Sequence, residues 1–224
     1  MKRAIFIVGL VVALAAWTAP NAHAGMISGS VWTTNSYNFT THDLTNGAIS
    51  GLGQADLTFS VDAINFQDPI PLINGTQTTY AQFLSGSLNS NPNNFTAGTT
   101  KAGSPIHFND LVQTAPNGVA SIFQLSGTAY FDSSVTVWKD DGFDLYIDGQ
   151  LFTDASAPTA PTPITIDGIS SGLHSFTINY AAWNFIPEQL TITGMTPTPE
   201  PASLVLVLAT LLGFGLVGLR KQRA

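Results

Sequence analysis

The 224 residues contain no cysteine, which excludes both a disulfide framework and thiol catalysis. Charge is scarce as well, at 9 % of residues, and Glu, Lys, Arg and Met are few, so the composition gives little support to helices. Basic residues are the scarcest where they would matter most. Between residues 25 and 196 only Lys101 and Lys139 stand against twelve aspartates and Glu188, a net charge near −11, although the whole chain carries only −7. Such a surface repels phosphate backbones, so nucleic acid is excluded as a partner. It suits solubility outside a cell and the company of divalent cations. His42, His107 and His174 are far apart and show no zinc-ligand spacing. G-x-S-x-G, P-loop and dinucleotide fingerprints are all missing. With twelve aspartates any carboxylate pairing for glycoside hydrolysis is arguable and none is singled out, so the expectation is a protein that is not an enzyme.

Long apolar runs occur only at the two ends. Residues 1–24 read as a secretory signal: Lys2 and Arg3, an apolar stretch from Ala4 to Trp17, then the small-residue site Ala22-His23-Ala24, which predicts a mature start at Gly25. At the other end, residues 197–224 comprise a proline-rich spacer around Pro199-Glu200-Pro201, the apolar run Ala202 to Leu219, and Arg220, Lys221 and Arg223. As a helix that run would extend about 27 Å, close to a bilayer core. The basic residues behind it would stay in the cytoplasm, with residues 25–196 on the far side of the membrane.

What lies between is rich in Thr, Ser, Asn, Gly and aromatics, a composition of strands joined by turns. Ala55 to Phe66 alternates, with Leu57, Phe59 and Val61 on one face and Asp56, Thr58, Ser60 and Asp62 on the other. Ser121–Phe131, bent at Gly127, Val135–Trp138, Phe143–Ile147, Gln150–Phe152, His174–Tyr180 and Gln189–Thr193 read as further strands. Asp148-Gly149 is a strong hairpin-turn signal. Residues 68–109 and 154–163 read as long loops, with Thr79 to Leu84 a short helix or strand inside the first. The strand aromatics Trp138 and Tyr146 read as core. His174 alternates with Phe176 and Ile178 and should pack on their side. Many short strands with frequent turns predict an all-β antiparallel sandwich, flanked by an N-terminal signal helix and a C-terminal hydrophobic helix.

Two resemblances sharpen this reading. Pro199, Glu200 and Pro201, the apolar helix, and Arg220, Lys221 and Arg223 resemble the PEP-CTERM sorting signal. That resemblance implies processing by exosortase, passage through the inner membrane by way of the C-terminal helix, and delivery to the cell surface or exopolysaccharide matrix of a Gram-negative-type bacterium. Lys139-Asp140-Asp141-Gly142-Phe143-Asp144-Leu145-Tyr146-Ile147-Asp148-Gly149-Gln150-Leu151-Phe152 resembles the central signature of PA14-type β-sandwich domains. Gly172 to Tyr180 and Glu188 to Ile192 resemble that family's later strands, so the likeness covers about Phe123 to Thr193.

In lectin-like members of that family two adjacent aspartates, joined by a cis peptide, bind Ca²⁺, and the ion holds sugar hydroxyls. The resemblance therefore implies Ca²⁺ at Asp140 and Asp141, with Asp144 or a loop asparagine adding oxygens. The residues by themselves allow a second reading, an Asp-Asp-Gly turn that caps its own backbone amides with no metal. Trp183, Asn184 and Phe185, in a loop-like stretch, are the candidate glycan contacts. The expected function is a non-enzymatic glycan- or exopolysaccharide-associated surface module. The alternative is a purely structural matrix protein with no small ligand.

Overall fold

The computed structural model describes residues 26–34, 43–67, 78–86, 92–113, 119–157, 159–183 and 188–198. Residues 1–25, which include Ala22 and Ala24 of the expected signal, His42, Asn184 and Phe185, and residues 199–224 with Pro199, Glu200, Pro201, Arg220, Lys221 and Arg223 lie outside them. Among the described residues no helix is long and apolar enough to cross a membrane.

Among the described residues, the unit Gly25–Thr198 contains ten antiparallel strands and two short helices. In chain order they are β1 (Ile27–Thr34), α1 (Asn46–Ser50), β2 (Leu57–Val61), β3 (Asn65–Gln67), α2 (Tyr80–Ser85), β4 (Phe95–Thr100), β5 (Ala120–Asp140), β6 (Gly142–Ile147), β7 (Gln150–Ala155), β8 (Thr162–Asp167), β9 (Gly172–Ala182) and β10 (Gln189–Pro197).

The organising element is β5. Its first half pairs with β1 on one side and β9 on the other; from Ser134 to Asp140 its neighbours are β8 and β10. One strand thus belongs to two layers, β4-β2-β1-β5-β9-β6-β7 and β8-β5-β10-β3. The change from β9 to β8 falls at Asp132-Ser133, and the change from β1 to β10 earlier, at Gly127-Thr128, since β10 already pairs with Ala129–Phe131 before a bulge between Thr193 and Met195. Gly194 makes that bulge possible: it has φ +84°, and a Cβ there would meet the Ser134 carbonyl oxygen at 2.7 Å.

Alternation along each strand then puts the apolar side chains between the layers. Phe59 of β2 meets Phe66 of β3 edge-on at 6.4 Å, and Phe131 of β5 meets Phe176 of β9 at 6.1 Å. Helix α2 starts at a capping box formed by Thr79 and Gln82, and sends Tyr80, Phe83 and Leu84 into the same core. A smaller cluster of Trp32, Leu44, Ile49, Ala120, Ile122 and Ala181 lies under the loop that carries α1. That loop is tethered by polar groups. Asn179, fully buried on β9, donates to the Leu44 carbonyl (2.7 Å) and to Asn46 Oδ1 (2.9 Å), and Asp56 accepts from Thr33 N (2.9 Å).

Several expectations are corrected. The alternating stretch from Ala55 to Phe66 is two strands, because residues 62–64 turn the chain from one layer into the other. Ser121–Phe131 and Val135–Trp138 are one continuous strand. The first expected long loop contains β4, while its segment Thr79 to Leu84 is helical, one of the two forms expected of it; the second loop shrinks to residues 156–161 between β7 and β8. Trp138 is not core: it is 43 % exposed and points outward between Pro163 of β8 and Thr191 of β10. Its strand neighbours Val137 and Val135 take the inward face, and the pleat leaves Trp138 on the other. Tyr146 is buried as expected.

Candidate metal centre

The end of β5 and the start of β6 are separated by a single residue, Asp141, and the Asp140–Asp141 peptide bond is cis. One oxygen each from Asp140, Asp141 and Glu188 come within 4.8 Å of one another. Each residue arrives by a different route. Asp140 ends the β5 ladder opposite Gln189, Asp141 sits in the connection, and Glu188 immediately precedes β10. The connection is tight because residue 142 has no side chain: a Cβ there would lie 2.5 Å from the Ser156 carbonyl oxygen and 2.9 Å from Leu44 Cδ1.

All three carboxyls are out of solvent, with Asp140 2 %, Asp141 1 % and Glu188 0 % exposed. Asp141 ties two neighbouring segments together, its Oδ1 accepting from Thr159 N (3.2 Å) and its Oδ2 from Trp183 N (2.8 Å). Glu188 Oε2 accepts from the Tyr180 hydroxyl at 2.9 Å, and that hydroxyl also reaches the Asp140 carbonyl. Asp140 Oδ1 is buried without a hydrogen-bond partner. Burial first, then the negative charge and carboxyl contact of Asp141, push the Asp140 pKa up to about 8, with Lys139 opposing. Burial also raises the Tyr180 hydroxyl well above its ordinary value, and the Glu188 charge adds to this.

Lys139 is buried beside the group. Its ammonium donates to the carbonyls of Asp141 (2.7 Å), Ala155 (2.7 Å) and Ala157 (3.2 Å), fastening the segment after β7 to the aspartate turn. Burial lowers its pKa, against the pull of Asp141, Asp140 and Asp144.

The structure brings Asp140 and Asp141 together with Glu188, and Asp144 is not one of the three converging carboxyls. Asp144 lies across from Asp154 in the β6–β7 hairpin, and burial followed by the charge of Asp154 pushes its pKa up to about 7. Trp183 is half-buried against the Trp32–Ile49 cluster and offers its backbone N–H to Asp141. Glu188 carried no assigned role in the sequence. The available signal was its singularity: it is the one glutamate between residues 25 and 196, next to the strand that resembles the family's last.

Around His174 a second constellation resembles hydrolase machinery without its function. Nδ1 lies 2.7 Å from Asp148 Oδ2, and Nε2 lies 3.1 Å from Ser170 Oγ. Nε2 also lies 2.8 Å from the Ser170 carbonyl, which can only accept, so a proton sits on that nitrogen and it is not poised as a base. The ring packs edge-on against Phe131, and Asp148 is held by Ser175 N at 3.0 Å. This is a clasp closing the β6–β7 hairpin onto β9. The hydrogen bond to Asp148, then the one to Ser170, raise the His174 pKa, and the clasp depresses that of Asp148. A histidine pKa raised on folding contributes stability that is complete below its unfolded value of about 6.5 and lost as pH climbs through the folded value. NMR titration of the His174 ring is expected to give a pKa above 6.5 that falls toward 6.5 in Asp148→Asn; equal values in the two proteins would refute the clasp.

The site and fold together define an all-β antiparallel sandwich with a buried, oxygen-only, three-carboxylate turn. No protein-family model matches the chain, and no curated protein matches it. Among solved structures it is similar to a PA14 sugar-binding domain from an RTX adhesin, with 17 % identity, 75 % of this chain and 88 % of that one covered, and TM-score 0.46. It is also similar to the PA14 domain of the antifreeze protein MpAFP, with 14 % identity, 79 % and 92 % covered, and TM-score 0.45. A third is the GH31 α-xylosidase from Xanthomonas citri, of which the likeness covers only 14 %, against 81 % of this chain, with 12 % identity and TM-score 0.37.

Proposed function

We propose that this chain is a non-enzymatic surface module that binds glycan through a calcium ion held by Asp140, Asp141 and Glu188, on a PA14-like sandwich. The observation that carries the reading is the buried Asp140 carboxyl, whose Oδ1 lacks a partner while two further carboxyls converge on it. Leaving such an oxygen unmatched is costly, and a hard divalent cation is the natural partner for an all-oxygen group. The donor set fits Ca²⁺: three carboxyls supply part of the six to eight oxygens it takes. The ion, when bound, would supply positive charge that neutralises the carboxyls and open coordination for sugar hydroxyls. The chain's own residues do the positioning, with Tyr180 against Glu188, backbone N–H groups on Asp141, and Lys139 clamping the adjacent carbonyls.

Delivery belongs to the same proposal. The signal residues would export the chain. The Pro199-Glu200-Pro201 tail would pass it to exosortase, with the apolar segment holding it at the inner membrane until processing, for release to the cell surface or exopolysaccharide matrix.

The near-complete burial of the three carboxyls favours a second reading, in which the ion is structural and the protein is a matrix component with no small ligand. Glycan-array and polysaccharide-retention measurements in Ca²⁺ and in EDTA separate the two. The first reading expects retention that EDTA removes. Retention on nothing, together with Ca²⁺-dependent melting, establishes the second. Absence of any Ca²⁺ effect sinks both.

A further inference from the structure

On the outer face of the β4-β2-β1-β5-β9-β6-β7 layer, beside α1, lies a pocket of about 400 Å³ that shares no residue with the carboxylate group. Its floor is built by strand register. Gln124 of β5 is level with Asn179 of β9, and one pleat further along Ser126 is level with Thr177. Asn46 and Ile49 of α1 form a wall, and Trp32 of β1 closes one side. No lining residue carries a charge.

The amides are already ordered. Gln124 Nε2 donates to Asn179 Oδ1 (3.0 Å), and Asn179 Nδ2 donates to Asn46 Oδ1 (2.9 Å), so floor and wall are fixed without a ligand. The Trp32 indole N–H is spent on the Gly53 carbonyl (3.0 Å), which sets the orientation of the ring. Ser126 and Thr177, each bearing a hydroxyl, line the cavity beside this network. The depression is open to solvent, and with a few fixed polar groups and one aromatic side it can seat one small ring against its floor. The missing charge selects its ligand. Phosphates, carboxylates and metal ions have no counter-charge in the lining, whereas a neutral ring bearing hydroxyls on its edges and C–H groups on its faces matches hydroxyls, amides and indole together.

We infer that this pocket is a metal-independent subsite for a single neutral pyranose, distinct from the carboxylate turn. The ligand class rests on the glycan reading above; the place and the independence from metal do not. Saturation-transfer NMR on the purified protein in EDTA, with the methyl glycosides of glucose, galactose, mannose and N-acetylglucosamine as probes, tests it. At least one is expected to bind in the millimolar range. Ser126→Ala combined with Thr177→Val removes two hydroxyls at nearly constant shape and is expected to weaken that binding about tenfold or more. Ser126→Leu, which fills the cavity, is expected to abolish it. No signal from any of the four sugars in EDTA overturns the inference, as does a signal indifferent to both pocket variants. Neither result bears on Ca²⁺-dependent retention, so the two readings fail separately.

Discussion

In EDTA, the protein is expected to melt at progressively lower temperature as pH rises from about 4 to about 8, and Ca²⁺ is expected to remove the part of that slope that Asp140 contributes. The folded-state pKa values of Asp140 and Asp144 are raised to about 8 and about 7, against about 3.9 for an unfolded aspartate. Between those limits the folded chain binds more protons than the unfolded one, so stability falls with increasing pH. The His174 clasp acts in the same direction, since its raised pKa means its contribution fades above about 6.5. Ca²⁺ at a hundred times its dissociation constant adds about 2.7 kcal/mol, a rise in Tm of about 5–10 °C for a domain of this size.

Asp140→Asn isolates the site. The amide resembles the protonated carboxyl and can donate to Asp141. At pH 8 without metal the variant is therefore expected to be more stable than the parent by on the order of 2 kcal/mol, or about 4–8 °C, with little gain at pH 5. Its Ca²⁺ response is expected to disappear. Differential scanning fluorimetry across pH, with EDTA or Ca²⁺, reads all of this. A parent protein indifferent to Ca²⁺ at pH 8, or an Asp140→Asn variant that still responds, would exclude the metal centre.

The second large effect is structural. Phe123→Ala is expected to destabilise the domain by about 3–5 kcal/mol, because a fully buried ring is lost and its surroundings close only in part. Phe123 sits on β5 between Val31 of β1 and Tyr180 of β9. Its ring lies 5.7 Å from Phe83, 6.3 Å from Tyr80 and 5.6 Å from Tyr180. It therefore supports helix α2 on one side, and on the other the tyrosine whose hydroxyl meets Glu188 and the Asp140 carbonyl. Phe123→Leu, which keeps much of the volume, should cost far less. Urea midpoints measure both, and a Phe123→Ala loss below about 1 kcal/mol would mean the cavity collapses freely and these contacts are not the keystone of the core.

Much of this architecture was readable in one dimension, for a local reason. Alternation is a short-range pattern, so β6, β7, β9 and β10 and the inward phase of Leu57, Phe59 and Val61 followed from neighbouring residues alone. The Asp148-Gly149 turn is equally local, with Asp148 at φ +50° and Gly149 at +78°. Strands β1, β4 and β8 escaped because their patterns are blurred by Ser, Thr, Gly and Pro, and only pairing defines them. β4 in particular has almost no buried side chain and exists by virtue of its ladder with β2.

The aspartate turn divides along the same line. The sequence alone determined that Asp140 and Asp141 adjoin a glycine between two strands, that residues 25–196 are acidic and free of thiols, and that no nucleophile motif is present. It could not determine which third carboxyl would join them. Asp144, three residues away, is carried along β6 to face Asp154, whereas Glu188, forty-seven residues from Asp141, is delivered to the pair because β10 runs back along the end of β5. The pocket on the outer face is likewise a product of register, since Trp32, Asn46, Gln124 and Thr177 belong to four separate elements. Proximity along the chain sets the turn, and long-range strand pairing, driven by burial of one shared core, decides what the turn meets.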